Sequence, residues 1–279
     1  MRQGVRRRSR LGNRAPAHYV IRMAHLTDRA VIALWGPESH SFLQGLVTGD
    51  VRRIEPGLPV YAALLTPQGK ILFDFQISER ENVLFIDCLK TRRDALMKRL
   101  SLYKLRAKID MLARDDLGVF DGEGPSDPRL PALGPRTVKP LEPSEAGDEA
   151  YLARRLDLGV PEGDDFGSDR VFALDAGLDE LNAVSFDKGC YVGQELTARM
   201  KHRGKDRKRL LPVATIDGNP LPARDVPVTG GGVEIGTVTS IYGPRGFALL
   251  RLDRLEACGT LLEAAGVPVT VTKPDWLFT

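Results

Sequence analysis

The chain has 279 residues, 42% of them hydrophobic and 28% charged, with a formal net charge of +3. That is room for roughly two or three compact domains of ordinary soluble composition, and no apolar run approaches the ~18 residues of a membrane-spanning helix. Three cysteines (Cys88, Cys190 and Cys258) are too widely spaced for a zinc knuckle or a disulfide framework, which points to a reducing compartment.

The positive charge sits at one end. Residues 1–22 hold seven arginines and no acid, and the rest of the chain has 33 basic against 37 acidic residues, a mildly acidic body. The tail reads first as a mis-assigned start, with Met23 the initiator. A disordered basic arm and a mitochondrial transit peptide are the alternatives, since arginine-rich, acid-free leaders look like this. The expected location is the bacterial cytoplasm, or the mitochondrial matrix if the tail is a transit peptide.

From Ala30 the pattern becomes regular. Ala30 to Trp35 reads as a short strand. Gly36-Pro37 opens a helix, proline being tolerated in its first turn, with Phe42, Leu43, Leu46 and Val47 at helical spacing. Leu58 to Leu65 and Ile71 to Ile77 are two strands of a hairpin. Between them, Thr66-Pro67-Gln68-Gly69 places proline second and glycine fourth in a type I turn. Asn82 to Asp87 is another strand. Thr91 and Asp94 have capping-box spacing, and Leu96, Leu100 and Tyr103 line one face of the helix that follows. Lys108 to Leu112 completes a β-α-β-β-β-α-β series, an α+β sheet with helices on one side.

Residues 121–149 are rich in proline and glycine and read as a long, mobile surface excursion. A helix follows over Tyr151 to Leu158. Beyond Leu210 come short strands at Leu210 to Ile216, Val233 to Ile241, Gly246 to Leu252 and Val267 to Thr272, which predict a small β-barrel or sandwich. Gly230-Gly231-Gly232 reads as a tight turn. The expected organisation is a basic tail (1–22), an α+β domain (23–113), a middle α+β segment (114–208) and a C-terminal β-barrel (209–279).

The segment Phe186-Asp187-Lys188-Gly189-Cys190-Tyr191-Val192-Gly193-Gln194-Glu195 carries the strongest chemical signal. It sets a cysteine between two glycines, just before a helix predicted over Gln194 to Met200. Lys188 and the helix N-terminus would both favour a thiolate at Cys190; a small, buried, inert thiol is the alternative. Cys88 and Cys258 read as buried. A single thiol cannot hold an iron–sulfur cluster alone, because such clusters want about four ligands. The basic run from Arg199 to Arg209 is either a solvated connector or an anion site. Without interleaved aromatics, nucleic acid is an unlikely partner.

Lys188 to Glu195 resembles the signature of the YgfZ family of folate-binding proteins, which includes the mitochondrial Iba-type iron–sulfur maturation factor. Leu196 to Arg199, His202 to Gly204 and Arg207 to Leu210 are similar to that family as well. So are Phe42 to Val51 and Tyr61 to Asp74. The resemblance implies a three-domain, ring-like fold shared with the T-protein aminomethyltransferase of glycine cleavage, around a channel that binds tetrahydrofolate. It also implies a role in assembly or repair of iron–sulfur clusters. Cys190 is then the functional thiol, and Asp175 stands where the superfamily has an acidic pterin anchor. Where the T-protein has paired aspartates this chain keeps only Asp74, beside Phe73, and Cys190 replaces an acid.

The expected function is a tetrahydrofolate-binding accessory factor for iron–sulfur clusters, with Cys190, Lys188 and Asp74 as the reactive set. Asp175, Tyr61, Arg199, Tyr191 and Gln194 would contact the folate. Iron–sulfur assembly proteins or cluster-containing client enzymes are the expected partners, with no stably bound metal and no membrane. A folate-dependent one-carbon transferase, with Asp74 near the folate nitrogens, and a non-catalytic folate-binding adaptor are the alternatives.

Overall fold

The computed structural model describes residues 23–55, 57–203, 208–259 and 261–277. The readings made for residues 1–22 lie outside this set. Fourteen strands are numbered in chain order: β1 (Ala24–Leu26), β2 (Arg29–Trp35), β3 (Val60–Leu65), β4 (Ile71–Arg80), β5 (Val83–Leu89), β6 (Asp110–Ala113), β7 (Leu117–Ser126), β8 (Pro135–Pro140), β9 (Lys208–Thr215), β10 (Pro227–Gly230), β11 (Val233–Tyr242), β12 (Arg245–Arg251), β13 (Leu262–Ala264) and β14 (Val267–Val271). The helices are α1 (Ser39–Gln44), α2 (Arg93–Lys104), α3 (Asp148–Leu158), α4 (Gln194–Arg203) and α5 (Leu252–Ala257).

The first unit is a five-stranded antiparallel sheet in the order β3-β4-β5-β2-β6. Side chains alternate between its faces. Ile32, Leu34, Ala62, Leu64, Phe75, Ile77 and Ile86 pack with Leu96 and Leu100 of α2. Tyr61, Ala63 and Leu65 point the other way, into a second core with Leu156, Phe166, Leu178 and Phe247. The sheet is thus buried on both sides, which is why β3 reads as an unbroken apolar run. The predicted turn is present: the Gly69 N–H donates to the Thr66 carbonyl at 2.8 Å, and Gly69 takes φ +79°. The predicted capping box at Thr91 is not. Arg92 occupies the N-cap of α2 without a side-chain hydrogen bond, because a 3-10 turn over Lys90–Arg92 leads straight into the helix.

Residues 121–149 depart most from expectation. Instead of a mobile excursion they form most of a three-stranded sheet, β1-β7-β8, and Asp127, Arg129 and Arg136 from this stretch are buried. Pairing of Ala24–Leu26 with β7 ties the start of the described chain to this second sheet. The third unit is a closed barrel, β10-β11-β12-β9-β14-β13, and closure leaves it no free edge. Leu211, Val213, Val238 and Leu250 fill the barrel. Leu210 and Phe247 face outward into the core shared with the first sheet.

Candidate functional site

Three segments distant in sequence meet at the cysteine. The Ser185 N–H donates to the Thr48 carbonyl at 3.0 Å. The Thr48 hydroxyl donates to the Ala183 carbonyl (2.6 Å) and accepts the Ala63 N–H (2.8 Å). Gln44 accepts the Val51 N–H at 2.8 Å and donates to Asp50 at 2.9 Å and to the Lys188 carbonyl at 3.4 Å. Lys188 is buried, and its ammonium donates to the carbonyls of Val47 (2.5 Å) and Gly49 (2.6 Å). It therefore braces the segment against the loop after α1.

Burial lowers the Lys188 pKa to about 8, with the Asp50 charge opposing. The unfolded chain holds the proton up to its ordinary value of 10.5. Between the two values the unfolded state binds more protons, so stability rises with pH. A Lys188→Met variant is expected to lose this limb: between about pH 8 and 9, below the ordinary titration of Cys88 and the buried tyrosines, chemical denaturation of the native protein should show a gain in stability that the variant lacks.

The turn after β3 supplies the second support. A Cβ on Gly193 would stand 2.5 Å from the Thr66 carbonyl oxygen and 3.2 Å from Gly69 Cα. Two glycine backbones therefore lie against each other, and the Thr197 hydroxyl, which donates to the Gly193 carbonyl at 3.0 Å, is next to them. This close approach explains why the segment carries glycine at 193.

The result is a short exposed step between buried anchors. Lys188 and Tyr191 are buried, while Gly189 and Cys190 between them are exposed. Tyr191 packs inward with its ring 5.4 Å from the Lys188 ammonium, and burial pushes its phenol up to about 12. Helix α4 begins four residues after Cys190, where the Gln194 N–H donates to the Tyr191 carbonyl at 3.2 Å. Arg199 lies exposed on that helix and pairs with Glu195. Cys190 is thus the solvent-facing thiol of the chain. Cys88 is buried, with its thiol pushed up to about 12 chiefly by burial, and Cys258 is half-buried.

Tyr61 and Asp74 come together elsewhere. The Tyr61 hydroxyl donates to Asp74 at 2.7 Å, and the Gly163 N–H reaches the same carboxyl at 3.1 Å. Both side chains are buried, and the Arg129 guanidinium lies 4.6 Å from the Tyr61 ring centre. Around them runs a buried ion network. Glu162 accepts from Arg29 (3.0 Å), Arg129 (2.5 Å) and Tyr151 (2.8 Å). Asp127 holds Arg129 at 2.7 Å, and Asp87 lies 2.6 Å from Arg29 and 3.2 Å from Arg136. Three guanidinium groups thus balance three carboxylates without Asp74. Burial and the Glu162 charge push the Asp74 carboxyl up from its ordinary value. Beside the network, Gln76, Phe85, Asp87, Arg136 and Thr137 help to line a cavity of about 260 Å3.

Asp175 is buried by the root of the barrel, where its carbonyl accepts the Leu210 N–H at 2.8 Å. The basic run is divided. Lys201 pairs with Asp179 at 2.7 Å, Arg209 is buried against Glu180 at 2.8 Å, and residues 204–207 lie outside the described set. Sequence reasoning assigned no role to Gln44, Thr48 or Glu162. The first two lie in the Phe42 to Val51 segment, where the signal was a glutamine and a threonine among apolar residues and glycines, just before Asp50.

Comparison with known proteins identifies the fold and the family. Residues 207–279 match the family model for the CAF17 C-terminal beta-barrel domain. The mitochondrial iron-sulfur cluster assembly factor IBA57 of Mus musculus is 33% identical, over 90% of this chain and 84% of its own length. The chain belongs to the IBA57 family of iron–sulfur cluster assembly factors. The human IBA57 is 31% identical over the same shares, and the homologue of Coccidioides immitis is 32% identical over 82% of this chain and 71% of its own. The aminomethyltransferase T of the glycine cleavage system from Bartonella henselae superposes with a TM-score of 0.71 over 92% of this chain and 86% of that one, at 15% identity. The IBA57-family chain therefore has the aminomethyltransferase fold, as its resemblance implied.

Proposed function

We propose that this chain supports assembly or repair of iron–sulfur clusters through the Cys190 thiol, and that it binds tetrahydrofolate at a separate cavity. The observation that carries the first part is the exposed step: three segments join to hold one thiol in solvent between buried anchors. A thiolate is a soft iron ligand, and clusters want about four such ligands. Cys190 supplies one, and a partner protein or a small thiol supplies the rest. Iron–sulfur assembly proteins and cluster-containing clients are thus the partners that the chemistry requires.

The folate reading rests on the cavity. At about 260 Å3 it falls below the ~300–1,000 Å3 of sites that enclose drug-sized ligands, so it suits a pterin head rather than a whole cofactor. Glu79 and Ser78, which line it outside the buried ion network, offer acceptors for a pterin's amino and ring N–H edge. Tyr61 and Asp175, assigned to the folate from sequence, are buried outside this lining, and so is Asp74. Asp74 faces Tyr61 and Gly163, which favours an accessory role over one-carbon transfer.

The test is complementation of cells lacking the protein. Cys190→Ser should fail to restore cluster-enzyme activity while binding tetrahydrofolate as tightly as the native chain. Glu79→Gln should weaken folate binding by about 10-fold or more. Full rescue by Cys190→Ser would overturn the thiol role, and unchanged folate affinity in Glu79→Gln would overturn the cavity assignment.

A further inference from the structure

Helix α2 and the turn after it concentrate positive charge in a chain whose body is otherwise acidic. Residues 90–108 hold eight lysines and arginines against the single acid Asp94. Arg92, Arg93 and Lys104 are paired with Asp164, Asp115 and Asp110. Lys98, Arg99, Arg106 and Lys108 are exposed and have no ion pair among the described residues.

The same surface carries leucines where a surface helix should be polar. Leu96 and Leu100 face the core. Leu102, in the last turn of α2, and Leu105, at its C-cap, are 63% and 88% exposed. Leu105 takes φ +43° where the chain leaves the helix, a conformation that L-residues rarely adopt. Two leucines thus project outward, with Lys98 and Arg99 on one side and Arg106 and Lys108 on the other.

We infer that this face is a membrane-docking surface, with the two leucines entering the headgroup boundary of an anionic bilayer and the four cations meeting its phosphates. No helix among the described residues is long and apolar enough to cross a membrane, so the contact is peripheral. Two largely exposed leucines set among cations suit a fluid apolar layer under anionic headgroups better than a dry protein interface. Tyr103 is the one aromatic residue of 90–108 and packs against the core, so the patch offers no row of rings on which nucleic-acid bases would stack. An anionic lipid surface supplies both things the patch lacks, a place for apolar side chains and counter-charge within a Debye length.

Vesicle sedimentation of the full chain tests this, with phosphatidylcholine vesicles holding about a third phosphatidylglycerol and with phosphatidylcholine alone. The native chain should partition onto the anionic vesicles and release between about 0.05 and 0.5 M salt. Leu102→Ser with Leu105→Ser should reduce partitioning about 10-fold with an unchanged melting temperature, since both side chains are already in water. Leu105→Trp should shift its emission to the blue on anionic vesicles. The arginine-rich tail is intact in every variant. Retained binding by the double serine variant would therefore assign adsorption to charge elsewhere and overturn the inference. Absence of vesicle binding at low salt, or an unshifted Leu105→Trp spectrum, would overturn it too and leave an acidic macromolecule as the partner.

Discussion

Gly193→Val is expected to destabilise the protein by about 2–5 kcal/mol and to abolish its cellular function. Two effects act together. Gly193 has φ +83°, where a β-branched residue is strongly disfavoured. Its new Cβ would also meet the Thr66 carbonyl oxygen at 2.5 Å, a backbone atom that can move only with the whole turn. The segment would have to lift off the β3–β4 hairpin, taking the Cys190 step with it. Gly193→Ala meets the same contact with a smaller side chain and should lie between the two. Denaturant melts give the stability loss, and alkylation of Cys190 reports whether the step has moved. A variant as stable as the native chain would show that the segment does not rest on the turn.

Glu162→Gln is expected to lower stability by about 3–5 kcal/mol, the usual cost of breaking a buried ion pair from one side. Although the carboxylate is fully withdrawn from water, Arg129, Arg29 and Arg136 hold its pKa well below the ordinary value of 4.5. Glutamine fills the same space but leaves Arg29 and Arg129 short of one negative charge in the interior. The sign of the pH effect follows. A group whose folded pKa is depressed stabilises above its unfolded value, and the contribution is lost as pH falls through the folded one. The native protein should therefore lose stability below about pH 4.5, and Glu162→Gln should lose less over the same range. Calorimetry between neutral and acid pH checks both, and parallel curves for the two proteins would remove Glu162 from the network's charge balance.

Much of the site was legible because it rests on local rules. The Thr66–Gly69 turn follows from proline and glycine at fixed positions, and the helix after Cys190 from composition. Strand spacing left a barrel or a sandwich beyond Leu210, and the structure closes it as a barrel. What failed was long-range. Residues 121–149 look like loop because proline and glycine are breakers, yet Arg129 and Arg136 are ordered by Glu162 and Asp87, whose positions along the chain give no hint of the pairing. Lys188 looked like a free charge beside the thiol. Its ammonium instead meets two carbonyls from the loop after α1, a contact that only the folded chain brings together. Tyr61 and Asp74 were given separate roles, yet the Tyr61 hydroxyl donates to Asp74, and the Arg129 guanidinium over the Tyr61 ring comes from a distant stretch that periodicity does not encode.

The central claim is that folding leaves Cys190 in solvent while the chain around it is locked down. Site-resolved alkylation of the native full-length protein, followed by peptide mass spectrometry, tests it most directly. Cys190 should react first, at least about 10-fold faster than Cys88, with half-buried Cys258 between them. If Cys190 were modified no faster than Cys88, the thiol would be shielded and the proposed chemistry would have no access to it.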